Sequence, residues 1–276
     1  MTVVEKFLMG KYNDDELCED GIFVSNDYIA VIAGVGIQSA FRYNNKKPGR
    51  LIRDVLLEAM QILDKKFDCY QAIEFLNNYI IDYYKRIGIY NTISTDASYQ
   101  PSASVIIFSR YFNQIWLIGD CIALYGDTIL ENKLKVDELY KDIRVMIINY
   151  LLKTGYTVEQ LLEDDVAKRL VQDLEKRQPY IRNKVFNSEF DYAVIDGFNK
   201  PNKELIKCID VPEEVKEIVF TSDGYRKPFY TLKESEDYLK YIKKIDPLCY
   251  KEFADEKGFY KNQESYDDRA YIRFKI

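Results

Sequence analysis

Residues 18–36, CEDGIFVSNDYIAVIAGVG, place two apolar segments on either side of a short polar turn. GIFVS (21–25) and YIAVIAG (28–34) have the length and composition of β-strands, and Asn26-Asp27 separates them. Two such segments with a two-residue polar turn between them predict a β-hairpin. The acidic pair Glu19-Asp20 stands before the first strand, so the hairpin would hold two carboxylates at its open end.

The register of this hairpin has a consequence for residue 33. With a two-residue turn, Asp20 pairs directly with Ala33. Directly paired side chains have Cβ atoms about 4.5–5.5 Å apart on the same face of the sheet. A carboxylate at position 33 would therefore share a cation cluster with Asp20 and Glu19, but the chain has alanine there.

Beyond the hairpin, strands and helices occur in groups. Helical spacing of apolar residues predicts helices at 50–66, 71–86, 136–154, 157–177, 232–244 and 246–254. Further apolar runs predict strands at 104–110, 114–120, 122–126, 128–132, 190–196, 204–210, 217–223 and 270–276. Grouped elements favour an α+β fold over alternating α/β. We predict a four-layer αββα sandwich, two antiparallel β-sheets flanked by helix pairs, in a single domain of residues 1–276.

The composition is that of an ordinary globular protein. The chain has 276 residues, 47% of them hydrophobic and 30% charged, with a net charge of −6. A negative net charge argues against nucleic acid or an anionic membrane surface as the main partner. No stretch reaches the roughly 18 apolar residues of a membrane span, and the N-terminal segment lacks the pattern of a secretory signal. We therefore expect a cytoplasmic protein with no nucleic-acid and no membrane partner.

Histidine is absent from the whole sequence. This absence excludes Ser–His and Cys–His nucleophile pairs, histidine general bases and imidazole zinc sites. An enzyme without histidine must rely on carboxylates, Lys, Tyr, Cys, a metal or a cofactor. Carboxylate-rich oxygen sites prefer Mg²⁺, Mn²⁺ or Ca²⁺.

The five cysteines give no sign of a disulfide framework or a catalytic thiol. They are Cys18, Cys69, Cys121, Cys208 and Cys249. Their number is odd, and no two of them form a CxxC pair, so we expect reduced, buried side chains. None has the arginine six residues further on that cysteine-based phosphatases need, and no GxxxxGK[ST] phosphate loop occurs.

Acidic residues stand at the ends of predicted strands in four places. These are Glu19-Asp20, Asp120, Asp223 and Asp267-Asp268. Each one taken alone is more simply a turn residue, because Asp and Gly favour turns. Four together, in a chain without histidine, favour a shared binding site, since binding residues concentrate in loops at strand ends.

Five segments resemble motifs of the protein phosphatase 2C family, the metal-dependent PPM phosphatases, in family order. The hairpin at 18–36 is similar to the family's opening motif. IWLIGDC (115–121) is similar to its Gly-Asp-Ser strand, and PSASVII (101–107) to the small-residue strand before it. IVFTSDGY (218–225) resembles the Ser-Asp-Gly motif, and DDRAYIRF (267–274) the C-terminal Asp-Asn strand. The chain thus looks like a divergent, bacterial-like member.

The resemblance implies a metal-dependent phosphoprotein phosphatase. It implies two Mn²⁺ or Mg²⁺ ions, with a third in many members, and hydrolysis of phosphoserine or phosphothreonine in a phosphorylated protein by a water between the metals. Carried over by position, the metal ligands are Glu19, Asp20, the Gly34 carbonyl, Asp120, Asp223 and Asp267. Asp20, Asp223 and Asp267 would be the catalytic carboxylates.

Three positions depart from the family pattern. Ala33 takes the place of the aspartate that bridges both metals, which predicts impaired or abolished activity. Asp15 stands where the family has a phosphate-binding arginine, and Lys11 is the nearest cation that could bind phosphate, as a point charge without a bidentate fork. Cys121 replaces the usual serine.

The sequence leaves three hypotheses for the function, two based on the family resemblance and one unrelated to it. The chain is an active phosphatase, or a catalytically dead pseudophosphatase that keeps the fold as a binding or regulatory module. The third is a plain binding protein whose acidic strand ends are only turns. Hydrolysis of a phosphomonoester with Mn²⁺ separates the first two, and a metal titration tests the third.

Overall fold

The computed structural model describes residues 1–14, 16–36, 42–43 and 45–276. In this part of the chain the strands are β1 (Thr2–Met9), β2 (Asp20–Val24), β3 (Tyr28–Val35), β4 (Ser102–Ser109), β5 (Gln114–Ile118), β6 (Ile122–Tyr125), β7 (Thr128–Leu130), β8 (Lys207–Asp210), β9 (Glu217–Thr221) and β10 (Arg269–Lys275). The helices are α1 (Pro48–Met60), α2 (Cys69–Arg86), α3 (Tyr90–Ser94), α4 (Lys135–Lys153), α5 (Val158–Glu163), α6 (Val166–Glu175) and α7 (Leu232–Ile245). Among the described residues, no helix combines the length and apolar character that crossing a membrane requires.

The strands form two five-stranded sheets. The first sheet has the order β1-β10-β9-β6-β7, and the second has the order β2-β3-β4-β5-β8. Every pairing within them is antiparallel. This topology confirms the predicted α+β class with two antiparallel β-sheets.

The hairpin that opens the second sheet has the predicted register. β2 and β3 pair with Asp20 directly opposite Ala33. Ser25 closes the turn, because its backbone N–H donates to the Tyr28 carbonyl over 2.8 Å. Residue 33 therefore lies beside Asp20, as the turn length required.

The two sheets face each other across one hydrophobic core. Ile29, Val31 and Ala33 of β3 belong to this core, while Ala30 and Ile32 belong to the cluster on the opposite face of the same strand. Successive residues of a strand point to opposite faces, so a run that is apolar throughout fills both layers. The Ala33 methyl group consequently points between the sheets.

Helices α1 and α2 cover the outer face of the second sheet. Leu56 of α1 and Leu76 of α2 lie in one cluster with Ile107 of β4 and Trp116 of β5. The outer face of the first sheet is covered by residues around the start of α7, which join the cluster of β6, β9 and β10. Helices α4 and α6 pack on each other beside the sandwich.

Residues 190–196 do not form the predicted strand. Ile195 makes a single antiparallel bridge with Ala103. The Asp196 carboxylate then accepts the backbone N–H groups of Phe198 and Asn199, each over 2.8 Å. These side-chain bonds turn the chain away from the sheet before a ladder can form.

Residues 246–254 do not form the predicted helix. The Asp246 carboxylate accepts the backbone N–H groups of Tyr250, Lys251 and Phe253 over 3.2, 2.8 and 3.1 Å. In a helix these donors would bond to backbone carbonyls four residues earlier. The aspartate offers them an alternative partner, so the segment is a tight loop instead.

The predicted helix at 157–177 is interrupted, and α5 and α6 replace it. Asp165 lies at the break, where its carboxylate accepts the backbone N–H of Lys168 over 2.8 Å and caps α6. The same carboxylate accepts from the buried Arg144 guanidinium. The tertiary ion pair thus fixes a helix boundary that the apolar spacing did not show.

Two cysteines correct the prediction that none is paired. Cys69, at the first turn of α2, forms a disulfide with Cys208 of β8, 139 residues away in sequence. No spacing signal marks this pair, because packing of α2 on the second sheet brings the two residues together. Cys18, Cys121 and Cys249 are free and buried, as expected.

Candidate metal and phosphate site

One cavity of about 240 Å³ collects the residues that the sequence predicted for the site. Lining it are Lys11, Glu19, Asp20, Ala33, Gly34, Asp120, Asp223 and Asp267. Asp15, the residue at the spacing of the family's arginine, lies outside the described residues. The cavity therefore gathers carboxylates from four segments that are far apart in the sequence.

Antiparallel pairing explains why these segments meet. β9 and β10 are neighbours, so the chain leaving β9 at Asp223 lies beside the chain entering β10 at Asp267. The Ser222 hydroxyl accepts the backbone N–H of Ala270 over 2.9 Å and fixes this junction. β2, which begins at Asp20, packs against β10 from the opposite sheet.

Two carboxylate oxygens on one side of the cavity lack hydrogen-bond partners among the described residues. They are Oε1 of Glu19 and Oδ2 of Asp20, and both atoms are buried. Burial of an unpaired carboxylate oxygen costs free energy unless a cation or a donor compensates it. This side of the cavity, formed by Glu19 and Asp20, therefore has unused capacity to bind a cation.

The pKa values of this pair reflect the same burial. Burial raises the pKa of the Glu19 carboxyl to about 7, against the opposing charge of Lys47. Burial also raises the pKa of Asp20 well above its ordinary value, and the charges of Asp268 and Asp223 add to the effect. Strongly perturbed carboxyl groups in a cleft are typical of functional sites.

Asp268 holds the segment that carries these groups. Its Oδ1 accepts the backbone N–H of Lys11 over 2.9 Å, and its Oδ2 accepts the backbone N–H of Glu19 over 2.8 Å. Both of its oxygens are therefore engaged by the chain. Asp268 positions Lys11 and Glu19 rather than facing a ligand with free oxygens.

A close backbone approach requires glycine at Gly34. A Cβ at this position would lie 2.2 Å from the Gly49 carbonyl oxygen and 2.6 Å from that of Glu19. The end of β3 and the first turn of α1 are therefore in direct contact. A Cβ at Gly49 would in turn lie 2.6 Å from Oε1 of Glu19 and 2.7 Å from the Gly34 carbonyl oxygen, so these two predicted ligand atoms are neighbours.

Another glycine directs Asp120 into the cavity. Gly119 has a φ of +84°, in the left-handed region that side chains disfavour. A Cβ there would lie 2.1 Å from the Ser104 hydroxyl oxygen, which accepts the backbone N–H of Asp120 over 3.3 Å. Asp120 shares this side of the cavity with Asp137, whose pKa is raised by burial.

The opposite side of the cavity already contains a positive charge. The Lys257 ammonium lies 2.6 Å from Oδ2 of Asp223 and also contacts Oδ2 of Asp267. The Lys11 ammonium lies 3.1 Å from Oδ1 of Asp267. Both oxygens of Asp267 are thus bound to ammonium groups.

The contacts of Lys257 and Lys11 with the two aspartates shift the pKa values of these groups. Burial opposes ionisation of Asp267, but Lys11 and Lys257 outweigh it and hold its pKa well below the ordinary value. Burial raises the pKa of Asp223 to about 7, although Lys257 counteracts the shift. Burial opposes the charge of Lys257, but the Asp223 and Asp267 carboxylates hold its pKa well above normal. Lys257 is therefore a stable cation at neutral pH.

Buried Arg144 anchors the loop that carries Lys257. Its Nη1 donates to the backbone carbonyls of Cys249, Asp255 and Lys257 over 3.3, 3.0 and 3.4 Å. Its Nε and Nη2 donate to Asp165 over 3.0 and 2.5 Å. Because Arg144 is wholly buried, the loop is tied to the interior at the residue next to the cavity.

Sequence reasoning missed Lys257 altogether. Lys257 follows the segment 246–254, for which the apolar spacing predicts a helix, and no motif marks a lysine there. Asp268 was noticed as an acidic strand-end residue but received no role. Glu256 and Asp137, which also line the cavity, had no recognisable sequence signal because each lies outside the strand ends.

The donor set on the Glu19–Asp20 side fits a divalent cation, and the other side does not. All available ligand atoms are oxygens, which suits Mg²⁺ or Mn²⁺. In the described part of the chain, no three His, Cys, Asp or Glu side chains are arranged so that they could hold a metal ion by themselves. A cation would use Glu19, Asp20, the Gly34 carbonyl and water, since Mg²⁺ usually keeps several waters. On the other side of the cavity, the Lys257 ammonium lies between Asp223 and Asp267, where a divalent cation would otherwise bind.

No protein-family model and no curated protein matches the sequence. Among solved structures, the chain is similar to the serine/threonine phosphatase Stp1 from Staphylococcus aureus, with 14% identity, a TM-score of 0.48 and coverage of 100% of this chain and 95% of that one. It is also similar to the phosphatase PstP/Ppp from Mycobacterium tuberculosis, with 13% identity, a TM-score of 0.43 and coverage of 98% and 97%. A catalytic domain of PstP in complex with 2 manganese ions matches at 11% identity, a TM-score of 0.47 and full coverage of both chains.

These structures are bacterial PP2C-type serine/threonine phosphatases, the family that the sequence motifs resemble. At these identities the likeness concerns the fold.

Cation binding is expected to depend on pH through the Glu19 carboxyl. With a pKa of about 7, Glu19 is largely protonated below that pH, and a cation must displace the proton. We expect the apparent affinity for Mn²⁺ to fall by at least about tenfold per pH unit as pH drops from 7 to 5.5, because the raised pKa of Asp20 adds to the effect of Glu19. Calorimetric titration at several pH values measures this. In Glu19→Gln, the Mn²⁺ affinity that remains should no longer show the pH dependence due to the Glu19 carboxyl. If the pH dependence of the affinity is the same as in the wild type, Glu19 is not a cation ligand.

Proposed function

We propose that the chain is one PPM-type domain, residues 1–276, that hydrolyses phosphoserine or phosphothreonine in a phosphorylated protein with the help of Mn²⁺ or Mg²⁺. The observation that carries the proposal is the convergence of Glu19, Asp20, Asp120, Asp223 and Asp267 in one cavity. The ordered family motifs supply the substrate class. The pair of ions that the sequence predicts, with a third, is not part of this proposal, because Lys257 lies between Asp223 and Asp267.

The residues of the cavity would have different roles in such a reaction. Glu19 and Asp20, each with a buried oxygen that lacks a partner among the described residues, would hold the cation. A divalent cation bound there would polarise the phosphoryl oxygens and lower the pKa of a water molecule. An ammonium has three donors, so Lys11 can donate to a substrate phosphate while it keeps its contact with Asp267. Asp20 is the catalytic carboxylate in this proposal, whereas Asp223 and Asp267 hold Lys257 at the cavity.

The proposal is tested by replacing Asp20. In Asp20→Asn, we expect Mn²⁺-dependent hydrolysis of p-nitrophenyl phosphate to fall by more than about 100-fold, since even outer-shell partners of a metal are worth about 10–100-fold. The matched control is Asp82→Asn, an exposed carboxylate on α2, which should keep the wild-type rate. A phosphothreonine peptide serves as second substrate. Equal rates for the wild type and Asp20→Asn, with Mn²⁺ present, would refute hydrolysis at this site.

A catalytically inactive phosphoprotein-binding module is the second candidate. Two observations favour it: Ala33 presents no carboxylate opposite Asp20, and the Lys257 ammonium pairs with both Asp223 and Asp267. This candidate predicts no turnover above that of Asp20→Asn, together with retained binding of the phosphothreonine peptide. Fluorescence anisotropy of a labelled peptide and its unphosphorylated counterpart measures that binding.

A further inference from the structure

The two sides of the cavity differ in how their carboxylates are compensated. Glu19 and Asp20 each keep a buried oxygen without a partner among the described residues. Asp223 and Asp267 share the Lys257 ammonium, which lies 2.6 Å from Asp223 and in contact with Asp267. Of these four carboxylates, only Glu19 and Asp20 keep a buried oxygen without a partner in the described part of the chain.

Lys257 is held in this place by the fold. Its side chain is about one-quarter exposed (26%), so most of it is packed against the protein. Its own carbonyl accepts from buried Arg144, and the carbonyl of the preceding residue, Glu256, accepts from the Lys168 ammonium over 3.1 Å. The neighbouring Asp255 pairs with Arg226 over 2.7 Å. A side chain on a loop anchored at three successive residues is not a mobile surface lysine.

Charge balance connects Lys257 with Ala33. A carboxylate at position 33 would face Asp20 on the core side of the hairpin and add one negative charge to the cavity wall. Alanine at position 33 removes one negative charge and Lys257 in place of a dication removes one positive charge, so the two changes balance. Either change alone would leave an unbalanced charge in a partly buried site.

We propose that Lys257 is the built-in cation of this centre, so that the chain binds one divalent ion at most, on the Glu19–Asp20 side. The Lys257 ammonium permanently fills the position between Asp223 and Asp267. This inference rests on the proposed function for its first ion, but the exclusion of a second ion is independent of activity. Together with Lys11, Lys257 also leaves ammonium donors at the cavity for a phosphate group.

The experiment measures how many Mn²⁺ ions the full-length chain binds, by equilibrium dialysis with metal analysis. We expect one ion in the wild type, two in Lys257→Ala, and one in Lys257→Arg, which keeps a cation. Lys251→Ala is the matched control, since Lys251 is an exposed lysine in the same loop region, and it should match the wild type. Circular dichroism checks that the variants fold.

The outcomes separate this inference from the proposed function. Two ions in the wild type, or the same number in the wild type and in Lys257→Ala, would overturn the role of Lys257. No ion in the wild type would refute the proposed metal site, whereas a gain of one ion in Lys257→Ala would still support Lys257 as the excluding cation.

A second measurement needs no variant. Acetylation of the wild-type chain with acetic anhydride, read by mass spectrometry, reports the accessibility of each lysine amine. We expect Lys257 to be labelled at least about tenfold more slowly than the exposed Lys251, because an ammonium bound to two carboxylates is a poor nucleophile. Saturating Mn²⁺ should leave this rate unchanged. Faster labelling of Lys257 with Mn²⁺ would show that metal displaces it, and would overturn the inference.

Discussion

Replacing Ala33 by aspartate is expected to strengthen Mn²⁺ binding and raise Mn²⁺-dependent phosphomonoester hydrolysis by at least about tenfold. The new carboxylate would lie directly opposite Asp20 and point between the sheets into the cavity. A unit charge pair about 4 Å apart contributes about 4 kcal/mol near a protein surface, and about 1.4 kcal/mol already corresponds to tenfold. Part of this gain offsets the cost of burying one more carboxylate.

The control for this variant is Ala33→Asn, which has nearly the same shape without the charge. Titration calorimetry with Mn²⁺ and the p-nitrophenyl phosphate assay are run on both variants. If Ala33→Asn and Ala33→Asp behave alike, the effect is one of packing, and residue 33 does not govern cation binding. An added Lys257→Ala substitution should increase the effect of Ala33→Asp, because the two changes act on one charge balance.

Replacing Arg144 by methionine is expected to lower the free energy of unfolding by about 3–5 kcal/mol. The substitution leaves the buried Asp165 carboxylate without its partner, which is the usual cost of breaking a buried ion pair. It also deprives three backbone carbonyls in the 249–257 loop of their donor. Chemical denaturation gives the free energy, and the melting temperature should fall by about 10 °C.

The control for Arg144→Met is Arg169→Met. Arg169 pairs with Asp164, and both side chains are more than half exposed, so this pair should contribute about 0–1 kcal/mol. Equal losses of stability in the two variants would contradict the structural role of Arg144. Because the lost contacts include the Lys257 carbonyl, Arg144→Met should also loosen Lys257 and speed its acetylation.

Much of the fold could be predicted because its signals are local. The hairpin register follows from turn length and strand alternation, and β3 and Asp20 lie where these rules place them. Helices α1, α2, α4 and α7 were found from apolar spacing, although α1 ends at Met60 and not at residue 66. The errors lie where side chains compete with the backbone for hydrogen bonds, as Asp246 and Asp196 do.

Edge positions were also hard to predict. β1 forms the edge of the first sheet and pairs only with β10, and its residues Val3 and Val4, where the register is irregular, remain exposed. A strand with one paired side carries a weak burial pattern, and the sequence pattern gave no prediction for it. The disulfide between Cys69 and Cys208 was missed for a related reason, since it depends on which helix packs over the sheet edge.

By itself the sequence determined the two apolar hairpin strands, the absence of imidazole chemistry, and the acidic strand ends that antiparallel pairing brings to one cavity. These properties are carried by residue type and short-range spacing. Only the tertiary structure decided that Lys257 lies between Asp223 and Asp267, that Asp268 positions Glu19, and that Arg144 fixes the loop beside them. The physical reason is that ion pairs form between whichever charges the packed chain brings together, and separation along the sequence carries no record of that distance.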